Sequence, residues 1–506
     1  MMSGSGDERV QPSTVATGAS EPDFELALAD ALPRGVAGQK GRIVDAGWLD
    51  PSELAGSRWQ YRDQNDNVGG VILGYRNGRG IGSMDNRHIL TIAGSRGGKG
   101  VSLIIPNLLM YDGSVLAIDP KGELARITAR ARRQKGQKVV VLDPFGDSEL
   151  ATGSFNPLDE LDVSSPNVKD DASQIADALI IGNDKDPHWT DSARILIKAL
   201  ILYTLTLPRE DRTLITVWHL LSGTHPLVTE MARRSECGER AALFLLLRSC
   251  DAFNGTVASA GINFRDMAEK ELASVFSTAK TQLDFLDSDA MAKVLGSSDL
   301  RLSDLKTQKT TIYLCLSAMR MGTHARWLRV IINLALVAFE RTKVQTSIPG
   351  LMVLDEFAVL GHMKSVEKAA GLMAGFGVKL WVVLQDLKQI EGLYEKTWET
   401  FIGNAGVTTF WANADMATLK YISDKLGQTS VTLDRRGETT MNQRLAGASG
   451  SREELRVQKL AAPDELETIL ERDTRRILVK IAGHPPVILK RILYYDDPPF
   501  KGLFDT

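Results

Sequence analysis

Lys99, Asp355, Glu356 and Gln385 are side chains of the types needed to hold and cleave a nucleoside triphosphate, although they lie far apart in the chain. Lys99 sits in a glycine-rich run, Ala93-Gly94-Ser95-Arg96-Gly97-Gly98-Lys99-Gly100-Val101-Ser102. The backbone N–H groups of such a loop point inward at an anion, and the start of the following helix adds partial positive charge. The lysine then reaches the outer phosphates as a point charge. The run departs from the P-loop pattern G-x-x-x-x-G-K-[ST] in two places. Ala93 stands for the first glycine, a mild change where φ need not be positive. Gly100 stands for the hydroxyl residue that normally ligands Mg²⁺; Ser102 lies two residues on, and whether it substitutes is open.

The run from Leu351 to Glu356 ends four apolar residues in two acids. A buried parallel strand would deliver Asp355 and Glu356 to its carboxyl end, beside the phosphate loop. There Asp355 can hold Mg²⁺ through its water shell, and Glu356 can orient or deprotonate an attacking water. Gln385 closes the next apolar run, KLWVVLQ; on a neighbouring strand its amide would face the γ-phosphate. Each feature alone has a bland reading: an apolar strand ending in Asp-Glu is common by chance, and a strand-end glutamine can simply face solvent. Their pairing with the glycine loop in one α/β domain gives them meaning. There is no G-x-S-x-G, no Cys/His pair at useful spacing and no tyrosine with a histidine cluster. Nucleotide hydrolysis coupled to movement is the chemistry on offer.

These residues need a sheet to position them. Ile89 to Ile92 reads as a strand entering the glycine loop, followed by a helix, a strand at Ser114–Asp119, a helix at Gly122–Gln134 and a strand at Lys138–Asp143. This alternation predicts a parallel, doubly wound sheet with its ligand at the carboxyl ends of the strands. From Asp159 to Asp171 a linker of Pro, Asn, Ser and Asp intervenes, and helical periodicity then runs to about Leu300, over His188–Leu207, Leu220–Arg234, Arg240–Ser249 and Asn263–Leu286. At Thr310 the alternation resumes: TTIYLCLS, helix 324–341, LMVLDEF, helix 363–374, KLWVVLQ, helix 389–401, VTTFWA and helix 415–426. An all-helical domain thus interrupts the α/β domain, whose two halves must close into one sheet. VGGVILGYRNGRGIG reads as a small hairpin leading into the P-loop strand. Val431–Ser451 reads as an extended hairpin or a mobile loop, and Arg472–Lys490 carries two further strand-like runs. Residues 1 to about 22 read as disordered, and Phe24–Leu32 as a short helix stopped by Pro33. The division expected is an N-terminal arm (1–40), the first part of the nucleotide-binding domain (41–165), the helical domain (166–305) and its second part (306–506).

Sixty Lys and Arg nearly balance 63 Asp and Glu, for a net charge of −3. No global basic field announces DNA binding, so nucleic acid would have to be met by a local patch or a pore. The three cysteines stand far apart with no C-x-x-C pair, which argues against zinc or a disulfide framework and for a reducing cytoplasm. No signal peptide is evident, and the most apolar runs, 193–207, 241–247 and 330–339, fall short of the ~18 residues a membrane span needs.

The segments AGSRGGKGVSLIIPNLL, SVLAIDPKGE, HWTDSARILIKALILYTL, LMVLDEFAVLG, FGVKLWVVLQDLKQIEGLYE, and PDELETIL followed by PPVILKRILYYDDPPF resemble the type IV coupling proteins, the TraG/VirD-type ATPases of conjugation and secretion systems. They cover most of residues 85 to 500 in the family's order, and Gly after the P-loop lysine looks like a variant seen in that family. The resemblance implies a RecA-like P-loop NTPase core with a parallel or mixed twisted sheet, interrupted by an all-helical domain, using ATP and Mg²⁺ and working as a homo-hexamer around a channel. It implies that Lys99 binds phosphates within the loop Ala93–Ser102, Asp355 holds Mg²⁺, Glu356 is the catalytic carboxylate and Gln385 the sensor. Its implied partners are the type IV secretion machinery at the inner membrane, a DNA–relaxase complex or effector proteins, and single- or double-stranded DNA. Members usually begin with two membrane-spanning helices, whereas this chain shows none; it is therefore expected in the cytoplasm, reaching the inner membrane through partners. Some members carry an arginine finger about eleven residues before the sensor glutamine, where this chain has Ala374; Lys379, Arg326 and Arg329 are the other candidates.

Two alternatives stay open. One is a DNA-pumping translocase of the FtsK/HerA kind, sharing the core. The other is a nucleotide-gated substrate receptor with little hydrolysis, which Gly100 and Ala374 keep in play.

Overall fold

A computed structural model of the chain describes residues 46–49, 53, 61, 70–182, 187–436 and 451–505. The expectations for residues 1–22 and for Phe24–Leu32 lie outside the described residues, as does the middle of Val431–Ser451.

The first strands are the hairpin β1 (Val71–Arg76) and β2 (Arg79–Ser83), then β3 (His88–Ala93), β4 (Val115–Asp119) and β5 (Lys138–Leu142). After a long helical stretch come β6 (Thr310–Cys315), β7 (Gly350–Leu354), β8 (Val378–Leu384) and β9 (Ala405–Trp411). β10 (Gln428–Arg436) and β11 (Ser451–Lys459) form a separate antiparallel hairpin, and β12 (Arg476–Ile481) and β13 (Val487–Lys490) follow.

The other eleven strands form one sheet, in the order β2-β1-β13-β12-β9-β3-β8-β7-β4-β6-β5. From β9 to β5 every pairing is parallel. Sequence explains why: these strands are near-continuous apolar runs, buried on both faces. Successive side chains feed opposite cores. Leu116, Ile118, Met352 and Leu354 pack into one apolar layer, and Val115, Ala117, Leu351 and Val353 into the other. The sheet is mixed, as the parallel or mixed sheet implied by the resemblance allows: beyond β9, the strands β12, β13, β1 and β2 pair antiparallel. The β1–β2 hairpin precedes the P-loop strand in sequence but lies at the outer edge of the sheet, against β13.

The stretch between β5 and β6 is helical, with Pro187–Thr204 at its centre. Two periodic runs turn out to be broken. Leu220–Arg234 is two helices, Leu214–Ser222 and Pro226–Ser235, because Gly223 adopts φ 86° at the end of the first and Pro226 opens the second. Asn263–Leu286 likewise divides into Thr256–Arg265 and Glu269–Leu283. In the second half of the α/β region, the helix after β6 starts at Ala318 rather than 324, and the run 389–401 breaks into Leu387–Tyr394 and Glu399–Gly403.

The helix Ala318–Arg341 ties the helical stretch to the sheet. Arg329, buried within it, donates from Nε to the Ala178 carbonyl (3.0 Å) and from Nη1 to the carbonyls of Leu360 (2.6 Å) and His362 (2.9 Å).

Candidate nucleotide-binding site

β3 sits at the centre of the sheet and ends at the fully buried Ala93. The chain then turns sharply. A Cβ on Gly94 would stand 1.8 Å from the Ala412 carbonyl oxygen, so the backbone can pass there only without a side chain. Gly97 N–H donates back to the Gly94 carbonyl (2.9 Å), while Arg96 (φ 57°) and Gly98 (φ 77°) take left-handed conformations. Lys99 precedes a single π-turn, Gly100–Ile104, which runs on as the α-helix Ile105–Met110. Such π-turns inside helices favour functional sites.

The loop leaves the N–H groups of Gly98, Lys99, Gly100 and Val101 with no acceptor among the described residues. Four adjacent unanswered donors at a helix start, with a lysine among them, suit a phosphate chain. Ser102 donates its own N–H to the Gly98 carbonyl (2.8 Å), and its buried hydroxyl has no hydrogen-bond partner among the described residues. Ser95 and Arg96 are exposed and form no hydrogen bond or ion pair with the other candidates.

β8 and β7 are the next strands beside β3, so their ends line up with the loop. Lys99 Nζ lies 2.8 Å from Glu356 Oε1 and 3.5 Å from Asp355 Oδ1. Gln385 Nε2 donates to Glu356 Oε2 at 2.9 Å. Lys99, Asp355, Glu356 and Gln385 are thus brought into one constellation. Glu356 adopts φ 51°, ψ 42°, a left-handed conformation costly for a residue with a Cβ and frequent at functional positions. Asp355 accepts the Glu356 N–H (3.0 Å). Burial pushes its carboxyl above the usual carboxylate range, and the adjacent Lys99 opposes that rise. Among the described residues no group of three or more His, Cys, Asp or Glu could hold a metal unaided. Asp355 and Glu356 do suit Mg²⁺, which usually takes one or two carboxylates and completes its octahedron with phosphate oxygens and water.

Residues that the motifs did not flag complete the site. Trp411 Nε1 (2.6 Å) and Arg491 Nη1 (2.7 Å) both donate to the Gly97 carbonyl. Asp119, ending β4 beside β7, accepts the Ala125 N–H at 2.8 Å. Its carboxyl is pushed up to about 6, chiefly by burial, with backbone donors opposing and Asp355 adding to the rise. An acid at the end of an apolar strand was the only signal Asp119 gave; Trp411 and Arg491 gave none, since only the sheet order brings them under the loop.

The finger candidates fare differently. Lys379 is 1% exposed near the amino end of β8, away from the loop, and Arg329 is spent on three carbonyls. Arg326 bonds the Gln282 side chain, and Ala374 lies on the turn Met373–Phe376. As the chain stands, neither Lys379 nor Arg329 is available to a neighbouring subunit.

A family model described as type IV secretory system conjugative DNA transfer matches residues 44–503. The chain belongs to this family. Within the conjugative DNA transfer family it is similar to the VirD4 protein of Rhizobium radiobacter, 30% identical over 434 residues that cover 83% of this chain and 58% of that protein. It is also similar to VirD4 of Agrobacterium fabrum (28%, covering 88% and 65%) and to the conjugal transfer protein TraG of Escherichia coli (27%, covering 82% and 68%). The chain therefore spans 58% and 65% of the length of these two VirD4 relatives. Among solved structures it is similar to the unbound conjugative coupling protein TrwBdeltaN70, with a TM-score of 0.63 at 14% identity, covering 92% of this chain and 99% of that one. TrwB in complex with ADP and Mg²⁺ gives a TM-score of 0.63 at 13% identity, covering 93% and 99%. At such identities the likeness concerns the fold alone. Among the described residues of this family member, no helix is long and apolar enough to cross a membrane.

Proposed function

We propose that this chain is an Mg²⁺-dependent ATPase that couples substrates, a DNA–relaxase complex or effector proteins, to a type IV secretion channel at the inner membrane. The observation that carries the reading is the junction of Lys99, Glu356 and Gln385 beneath a loop with unanswered N–H donors. Family membership and the TrwB complexes with ADP and Mg²⁺ and with an ATP analogue add support.

Bound Mg²⁺ would supply charge neutralisation on the transferred phosphoryl group. The N–H groups of Gly98 to Val101 cradle the phosphates, and Lys99 exchanges its carboxylate partners for phosphate oxygens. Asp355 would hold the metal. Glu356, freed from Lys99 and oriented by Gln385, aligns the water and takes its proton. Active units are homo-hexamers working from the cytoplasm, docked to the membrane through partner proteins.

ATP turnover of wild type and Lys99→Ala, each with and without single-stranded DNA, tests the reading. Wild-type turnover at least about a hundredfold above the variant supports it; equal rates reject it.

A further inference from the structure

We propose that Arg491 is a positioning residue of the phosphate loop, holding the Gly97 carbonyl behind the loop so that the Gly98 N–H faces the phosphates. The inference rests on the nucleotide reading above and adds to it a residue nearly four hundred positions downstream, 394 from Gly97.

The argument begins with one peptide plane. A trans peptide points its C=O and N–H in opposite directions. The Gly97 carbonyl receives Arg491 Nη1 at 2.7 Å and Trp411 Nε1 at 2.6 Å. The N–H of that same peptide, on Gly98, is thereby turned away from Arg491 and has no acceptor among the described residues. Gly97 itself must be small, because a Cβ there would meet the Gly94 carbonyl at 2.8 Å and the Trp411 indole nitrogen at 3.2 Å.

Arg491 is braced for this task. It is 6% exposed, its N–H donates to the Arg475 carbonyl (2.7 Å), and its Nη2 donates to the Arg472 carbonyl. All its hydrogen-bond acceptors are carbonyls, and no carboxylate forms an ion pair with it among the described residues. Asp473 and Glu471 act on it only at longer range, so this guanidinium is costly to bury and incompletely compensated. It polarises the Gly97–Gly98 peptide and favours an anion on the far side of the loop. The planar fork that grips two carbonyls at once is a property of arginine and not of lysine.

The test uses the full chain as wild type, Arg491→Met, Arg491→Lys, Trp411→Phe and Lys99→Ala. Dissociation constants for Mg·ADP and for ATP come from calorimetry, apo unfolding midpoints from a thermal melt, and KM and kcat from turnover. Losing a charged donor to the loop should weaken nucleotide binding about ten- to a hundredfold in Arg491→Met. Arg491→Lys should fall between it and wild type. KM should rise with kcat within about threefold, as befits binding lost equally from ground and transition states. Wild-type affinity in Arg491→Met alongside weakened Lys99→Ala overturns the inference and leaves the nucleotide reading intact, as does a fall in kcat at unchanged KM. Unweakened Lys99→Ala would instead reject the nucleotide reading. Should Arg491→Met melt before measurement, Arg491→Lys and Trp411→Phe decide: weakened binding in either supports the proposal, and wild-type affinity in both overturns it.

Discussion

Lys99 and Glu356, 257 positions apart in the chain, meet at 2.8 Å between Nζ and Oε1. The lysine that should greet a phosphate is thus already held by the carboxylate that should activate water. On the function proposed above, each holds the other in check until an anion arrives.

Glu356→Gln separates the two roles. The amide keeps the size of the side chain but neither competes strongly for Lys99 nor accepts a proton. Nucleotide affinity is expected to match or exceed wild type, while turnover falls roughly 10²- to 10⁴-fold. Calorimetric binding beside a phosphate-release assay checks both halves.

Two glycines of the loop should answer substitution in opposite ways. Gly94→Ala drives a methyl into the Ala412 carbonyl and should cost about 3 kcal/mol, at the upper end for overpacking, in urea unfolding. At Gly100 a Cβ would meet nothing within 4 Å. Gly100→Ser should therefore leave stability within about 0.5 kcal/mol and, by restoring the hydroxyl of the P-loop pattern, tighten the Mg²⁺ dependence of nucleotide binding.

Asp119 sets a pH dependence. Its carboxyl lies at about 6 in the folded chain against an ordinary value of 3.8, mainly through burial. The folded chain therefore holds this proton more tightly than the unfolded one. The resulting stabilisation is complete below about 4 and is lost as pH rises through 6, a change of about 3 kcal/mol at 1.36 kcal/mol per unit. Wild type minus Asp119→Asn, compared by urea unfolding from pH 4 to 8, should fall by up to that amount across the window; a flat difference would refute the assignment.

Arg329→Met should strip donors from the carbonyls of Ala178, Leu360 and His362 together. A loss of about 3 kcal/mol or more is expected. Because those carbonyls belong to the helical stretch and to the turn after Glu356, denaturant transitions followed by far-ultraviolet circular dichroism and by tryptophan fluorescence should no longer coincide.

The legible parts of this molecule were those written in short-range pattern. Strands β3, β4, β6, β7 and β8 are mostly apolar runs, interrupted only by single residues such as Thr91 and Lys379 or by a pair at a strand start such as Thr310 and Thr311, as buried parallel strands are. The glycine spacing around Lys99 and the acids after Leu354 announced themselves for the same reason: their chemistry demands particular residues at particular offsets. Periodicity overran the breaks at Gly223–Pro226 and Asp266–Ala268, since the apolar stripe continues across each kink; the Gly and Pro of the first were readable, whereas the second carries neither. Arg491 and Trp411 were silent because a donor to a distant carbonyl leaves no local trace. Nothing in the sequence separates Arg329 from the other finger candidates, because its three carbonyl partners lie on segments far from it in the chain.

The helical block leaves the sheet after β5 and returns at β6, which are hydrogen-bonded neighbours. Its two crossings are stitched together just outside the sheet, by Phe155 N to the Val294 carbonyl (2.7 Å) and Asp299 N to the Ser154 carbonyl (2.9 Å). A graft at that seam asks little of the chain, because closing a longer or shorter excursion between fixed ends changes the entropy only slowly with length. The block can therefore be lengthened, shortened or exchanged as one piece while β5 and β6 keep their pairing.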